Sequence, residues 1–264
     1  MKLILLSSVA LLACACGTRV PPRPSGASTP DRSAIEQFTA ATRRCAGLRT
    51  MLTELSLSGR AGDQRIRGRV HAGFQRGGDL RLEGVAPFGA PIFILAALGE
   101  RATLLLPREH RVLRDAYVAD VLERLTGLKM SADDLRLVLG ACVPDWIEPS
   151  EGRRWGGNWQ AVRVDSDTTA FLRRVDGRVV IAAMDSGPWH ADYGQFVGDW
   201  PRTVRIRRNG AGITVDITAR IGELQVNTTI DPAAYTVAVP SDADPMTLDE
   251  LRSVAPLAQK APGP

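Results

Sequence analysis

The chain has 264 residues, 44% of them hydrophobic and 23% charged, with a formal net charge of +4. So mild an excess gives no argument for a nucleic-acid partner and suits a surface that tolerates anionic lipid headgroups. The length allows one sizeable core, and neither an internal repeat nor a second hydrophobic span divides it.

Lys2 supplies a positive start, and 3–12 is an apolar run too short to span a bilayer as a mature helix. It ends Leu11-Leu12-Ala13-Cys14, which resembles the lipobox of bacterial lipoproteins. That pattern implies a signal peptide over 1–13 and acyl chains on Cys14, each buried methylene adding ~0.8 kcal/mol to the anchor. An ordinary secretory signal that contains cysteine is the other reading. Cys16 is the alternative acceptor, with Ala13 where a large aliphatic residue is expected. Residues 14–32, rich in Pro, Ser and Gly, read as a lipidated tether, and 255–264 as a flexible tail. One folded domain is expected over 33–254.

The spacing Ser33-x-x-Glu36 predicts a capping box and a helix over 33–47, with Ile35, Phe38, Cys45 and Leu48 on its dry face. Strands follow at 51–59 and 65–75. In the second, Ile66, Gly68, Val70, Ala72 and Phe74 alternate with Arg65, Arg67, Arg69, His71 and Gln75. Gly77-Gly78 turns the chain into a strand at 79–85, and links this short make a meander of antiparallel strands. The run 92–98 is apolar on both faces, and 102–107 continues the sheet. Short helices are predicted at 117–126, ended by Gly127, and after Ser131, ended by Gly140. Strands resume at 159–164, 169–175, 178–185, 203–208, 212–220 and 223–230, with Asp176-Gly177 and Asn209-Gly210 as hairpin turns. The fold class is mainly β with a few helices: an unclosed antiparallel β-barrel of about ten or eleven strands, its opening covered or plugged by helices.

In an oxidising envelope, Cys45 and Cys142 are a natural disulfide pair, worth ~4 kcal/mol in the chain-entropy picture. Two small buried residues that never meet are the competing reading. Nothing points to an enzyme. His71, His110 and His190 fall in no metal-binding spacing, and no nucleophile elbow or phosphate-cradling glycine loop occurs. Asp133 and Asp134 suit the first turn of a helix, where they oppose its dipole. Arg65, Arg67, Arg69, Arg205 and Arg207 read as solvated strand faces, with phosphate contacts the second reading. Neither a cofactor nor a metal is expected.

The order of elements, with Ala86-Pro87-Phe88-Gly89, Leu125-Thr126-Gly127, Ser131-Ala132-Asp133-Asp134-Leu135 and Leu139-Gly140, resembles the LolB-like outer-membrane lipoproteins of the LolA/LolB superfamily. The resemblance covers about 33–239 and is strongest over 59–140. It implies a hydrophobic cavity that takes acyl chains of lipoproteins from a soluble periplasmic carrier and assists their delivery to the outer membrane. It also implies that Phe88 protrudes as a membrane tip; the plainer alternative folds Phe88 back onto the sheet. Strand phase gives Ile66, Val70, Phe74, Leu80, Leu82, Ile92, Ile94 and Leu98 as the cavity lining.

Ala15 after Cys14, or Gly17 after Cys16, lacks the aspartate that retains lipoproteins in the inner membrane of the family's best-known hosts, so an outer-membrane, periplasm-facing location is expected; a monomer is expected as well. The longer stretch after Val239, with a helical turn at 246–251, and the cysteine pair depart from the family pattern. The alternatives are a structural or adaptor lipoprotein with a filled barrel, and a carrier of another lipid.

Overall fold

The computed structural model describes residues 22–86, 88, 91–144, 146–208, 213–254 and 256–257. The signal, Cys14, Cys16 and the Asn209-Gly210 turn lie outside them, as do Pro87, Gly89 and Ala90 beside Phe88. The strands are β1 (Thr29–Pro30), β2 (Thr50–Ala61), β3 (Gln64–Gln75), β4 (Asp79–Val85), β5 (Ile94–Leu98), β6 (Arg101–Leu106), β7 (Arg111–Tyr117), β8 (Glu151–Trp155), β9 (Trp159–Arg163), β10 (Thr168–Val175), β11 (Arg178–Ser186), β12 (Trp189–Gly194), β13 (Thr203–Arg208), β14 (Val215–Val226) and β15 (Asp244–Pro245). The helices are α1 (Ser33–Ala46), α2 (Val118–Thr126), α3 (Ala132–Leu139) and α4 (Leu248–Val254). Among the described residues, no helix is long and apolar enough to cross a membrane.

All the strands belong to one sheet, in the order β1-β8-β9-β10-β11-β12-β13-β14-β2-β3-β4-β5-β6-β7-β15. Every pairing is antiparallel except the short parallel contact of β15 with β7. The sheet begins and ends on different strands, so it curls without closing. At its centre β2 and β3 pair from Thr50↔Gln75 to Ala61↔Gln64. There Ile66, Val70, Ala72 and Phe74 are buried while Arg65, Arg67, Arg69 and His71 are exposed, as a period of two requires.

The strands number fifteen among the described residues, against the expected ten or eleven. Beyond the two-residue edges, β7, β8 and β12 had no clean alternation to reveal them. In β7 both Val112 and Leu113 are buried, and Asp115 has φ 54°. The segments predicted at 212–220 and 223–230 are one strand, β14. Ile221 pairs with Leu55 and Leu224 with Thr53, so Gly222 and Glu223 together face Glu54 in a bulge.

Helix α1 lies against β8, β9 and β11 through Ala34, Phe38 and Cys45. Its expected capping box does not form. Ser33 lies inside the helix, and its backbone N–H and hydroxyl both donate to the Asp31 carboxylate, at 3.1 and 2.7 Å. Gln160 and Arg154 donate to the other oxygen of Asp31, each at 2.8 Å. The Gln160 bond, with Ser33 and Arg154 behind it, overcomes the opposing effect of burial and holds the Asp31 pKa at about 2. Cys45 at the end of α1 forms a disulfide with Cys142 beyond α3, with Cα atoms 5.6 Å apart.

Part of the stretch expected to be a free tether packs on the sheet. Thr29–Pro30 pairs with the edge of β8, and Trp155 donates to the Gly26 carbonyl at 3.2 Å. Arg23 reaches β11 and β12. It pairs with Asp185, donates to Asp192 at 3.1 Å and to the Ala191 carbonyl at 3.2 Å, and lies 5.5 Å from the Phe171 ring centroid. Asp192, only 5% exposed, also accepts from Arg207 at 2.7 Å. A buried carboxylate held by two guanidiniums is a strong docking point.

Candidate functional site

The concave face of the sheet and the helices above it enclose an apolar hollow of about 60 Å³. Its floor is Leu55 and Leu57 of β2, Val70 of β3, Leu82 of β4, Ile206 of β13, and Ile217 and Ala219 of β14. Its roof is Leu122, Leu125 and Thr126 of α2, Leu128 and Met130 of the link, and Leu135 and Leu139 of α3. Phe93 and Leu257 complete the wall.

The roof helices are held by local chemistry. The αL residue Gly127 ends α2, and a true capping box opens α3: Ser131 accepts from the Asp134 N–H, and Asp134 accepts from the Ser131 N–H. Buried Arg136 of α3 pairs with Asp133 at 2.8 Å and donates to the Leu48 carbonyl at 2.9 Å, so α3 is fastened to the segment after α1. Among the described residues the one polar lining residue, Thr126, spends its hydroxyl on the Leu122 carbonyl at 2.8 Å. The hollow therefore offers a guest dry wall and no unmet hydrogen bond.

Of the eight residues predicted from strand phase, Val70 and Leu82 reach this hollow. Ile66, Phe74 and Leu80 share their inward phase and are buried in the core beyond its walls. Ile92, Ile94 and Leu98 do not line it. Leu82 pairs with Leu95 and Glu83 with Ile94, so β5 turns Leu95 and Ala97 inward and Ile94 outward with Glu83. Leu98 is 55% exposed. The run 92–98 is apolar in both phases, so its pattern carried no phase information; pairing with β4 decides it. Phe93 lies over Gly84, where an added Cβ would come within 2.6 Å of the ring. On the β2 and β14 side, the alternation of Leu55 with Leu57 and of Ile217 with Ala219 was the available signal. For Leu257, in a Pro- and Ala-rich tail, there was none.

Phe88 is 89% exposed and does not fold back onto the sheet; its carbonyl accepts from Arg108 at 3.0 Å. β4 ends at Val85 opposite Arg69, which places the Phe88 loop at the same end of the sheet as the turns after Ala61, Leu106 and Ser186. The Arg23 docking point, beside the Asp185↔His190 pair, is at this end too.

A more open groove of about 440 Å³ lies on the outer face, between β14, β2, β3 and β4 and the turn at 232–235. Several of its polar groups meet one another: Arg81 donates to Glu83 at 2.7 Å, and His71 and Arg69 lie 3.5 and 3.8 Å from the Glu54 carboxylate. Burial raises the hydroxyl pKa of neighbouring Tyr235 to about 12. Arg65 and Arg67 are exposed, whereas Arg205 holds Asp216 through two bonds and Arg207 holds Asp192. His110 lies 3.7 Å from Asp242, and His190 bonds Asp185 at 2.7 Å, its pKa lowered by burial and then by Arg23 and Arg207. Among the described residues, no group of three or more His, Cys, Asp or Glu is placed to hold a metal.

No family model and no curated protein matches the chain. Among solved structures it is similar to a domain described as an outer membrane lipoprotein-sorting protein from Vibrio parahaemolyticus, at 10% identity and TM-score 0.46, covering 77% of this chain and 96% of that one. A LolA superfamily protein from Nitrosomonas europaea is similar at 9% identity and TM-score 0.47, covering 75% of this chain and 97% of that one. The lipoprotein LppX of Mycobacterium tuberculosis is similar at 8% identity and TM-score 0.33, over 76% and 98% of the two chains. All these scores are below 0.5, and the likenesses carry no argument about what this chain does.

Proposed function

We propose that this chain is a lipid-anchored lipoprotein of the outer membrane that faces the periplasm. In this reading it receives lipoprotein acyl chains from a soluble carrier and assists their delivery to the membrane. The observation that carries the reading is the hollow under α2 and α3, walled by aliphatic side chains with its one hydroxyl already satisfied. An alkyl chain needs dry walls and little polar recognition, which is what this wall supplies. The lipobox-like start provides an anchor, and the exposed Phe88 provides an apolar tip at the rim where Arg23 docks.

The test is saturable uptake of a dansyl-labelled fatty acid by the mature chain carrying Cys14→Ser and Cys16→Ser, so that no fatty chains of its own compete. Saturation at about one probe per chain, displaced by unlabelled palmitate, is the expected result. Absence of uptake removes the cavity role. One observation favours a second reading: about 60 Å³ is the share of roughly two water molecules and falls well below the ~300 Å³ of the smallest ligand pockets. A structural or adaptor lipoprotein with a filled barrel would then co-purify with an envelope protein and hold no lipid. A carrier of another lipid differs in what native mass spectrometry finds inside.

A further inference from the structure

Leu257 does not belong to the barrel that surrounds it. The chain leaves the sheet after β14, returns as the two-residue β15 on the edge of β7, forms α4 against α2, and then places Leu257 in the wall of the hollow. This leucine is 3% exposed, far from any strand of its own. Opposite it stands Gly68 of β3, where a Cβ would lie 3.2 Å from Leu257 Cδ2, so the missing side chain is the notch that seats the leucine. The backbone is engaged as well. β4 pairs with β3 only from Arg69 onward, so among the described residues no strand pairs with the preceding residues of β3 on that side. The Leu257 carbonyl takes one of those free donors, the Arg67 N–H, at 3.1 Å.

The fastening of this segment is light where it meets solvent. Glu250 pairs with Arg111 at 2.8 Å and Asp249 with Arg124 at 2.9 Å, and both carboxylates are exposed, so neither pair holds the segment strongly. Met246, Leu251 and Leu257 supply the apolar grip. Before α4 the chain is tied to β7 by the Asp244 and Met246 N–H groups, on the His110 and Val112 carbonyls at 2.7 and 2.8 Å. Beyond Met246, Leu248, Leu251, Val254 and Leu257 pack on the core and one hydrogen bond reaches β3, so α4 and Leu257 can lift away while the strand ladder stays paired.

We propose that the C-terminal segment bearing α4 and Leu257 is a built-in occupant of the alkyl site, which an incoming acyl chain displaces. The proposal rests on the acyl-binding reading and accounts for the small volume of the hollow, which is the space left with the occupant seated. The Gly68 notch is then the subsite for the part of the alkyl chain that replaces Leu257. An alkyl chain offers the same aliphatic surface as the leucine. It has no acceptor for the Arg67 N–H, which is released to solvent.

The experiment compares the full mature chain, with Cys14→Ser and Cys16→Ser, to the same chain carrying Leu257→Ser. A dansyl-labelled fatty acid is the probe, and amide exchange at Arg67 is followed with and without it. Removing the competing leucine should tighten probe affinity by roughly tenfold, the factor set by one leucine's burial. Saturating probe should also speed exchange of the Arg67 amide in the parent chain. If the probe saturates both chains with equal affinity and the Arg67 amide stays protected, the displaceable occupant is wrong and acyl binding stands. If neither chain takes up the probe, acyl binding itself fails and the proposal falls with it. Should Leu257→Ser not fold, Leu257→Ala and the parent chain's Arg67 exchange give the same decision.

Discussion

Asp31 shows how much one side chain can organise. Its two oxygens gather the start of α1 and two side chains of the sheet, so the first helix is fixed to β8 and β9 at a single carboxylate. Asp31→Ala should cost about 1–2 kcal/mol in a urea melt at neutral pH, the range of a lost helix cap. The sign of the pH effect follows from the lowered pKa. The ionised form is preferred in the folded state, so its contribution is complete above the unfolded value of 3.8 and disappears as pH falls through about 2. The stability gap between parent and variant should therefore narrow between pH 4 and pH 2; a gap independent of pH would assign the loss to packing. The Ser33-x-x-Glu36 spacing located this helix correctly while naming the wrong cap. A carboxylate two residues earlier was a better acceptor than the hydroxyl, and its sheet partners are more than a hundred residues away.

Among the elements, α3 is the most constrained piece of the roof. Its far end continues into Cys142, which the disulfide joins to α1 across 97 residues. Arg44 of α1 adds to this corner. Its guanidinium donates to the Gly140 and Ala141 carbonyls at 2.9 and 3.2 Å and lies 4.2 Å from the Trp200 ring centroid, and burial lowers its pKa to about 10. The paired substitution Cys45→Ala with Cys142→Ala should lower stability by about 5 kcal/mol by the chain-entropy estimate for such a loop. Exchange of the α3 amides should rise more than that of β2 and β3; equal loosening everywhere would mean that the bridge acts only on the unfolded chain.

Elements whose periodicity is one-sided were legible in the sequence. β3 alternates arginine with small or aliphatic residues and forms where expected, and the α2 and α3 stripes become the roof. Elements wet on both faces or dry on both faces were not. β8 reads Glu-Gly-Arg-Arg-Trp and exists because β9 offers it a ladder, and β5 is apolar throughout, so its inner face was assigned one residue out of phase. Strand phase named Val70 and Leu82 of the lining, and the alternation in β2 and β14 held the signal for Leu55, Leu57, Ile217 and Ala219; the wall built by Leu257 and by pairing across distant strands had no such signal.

At the scale of the whole molecule, the open sheet has two ends that differ in character. One carries the Phe88 loop and the Arg23 docking point; the chain reaches α2 from the other. An exposed phenylalanine is out of place in water but gains by entering the apolar boundary of a bilayer. Phe88→Glu should leave the thermal midpoint within a degree or two, because the side chain is almost wholly exposed. The same change should weaken binding of the non-acylated mature chain to anionic vesicles several-fold in a flotation assay. Undiminished flotation with a folded variant would remove the membrane-tip role.

The Arg23 clamp also sets a length. Under the proposed lipidation of Cys14, nine residue steps lie between the fatty chains and the docked guanidinium, a leash of roughly 30 Å at full stretch. Were the mooring only at the β1 edge, fifteen steps would let the barrel drift roughly 50 Å from the bilayer. In the proposed arrangement the shorter line ends on the rim that holds Phe88, and the protein would swivel over its patch of lipid without standing off from it.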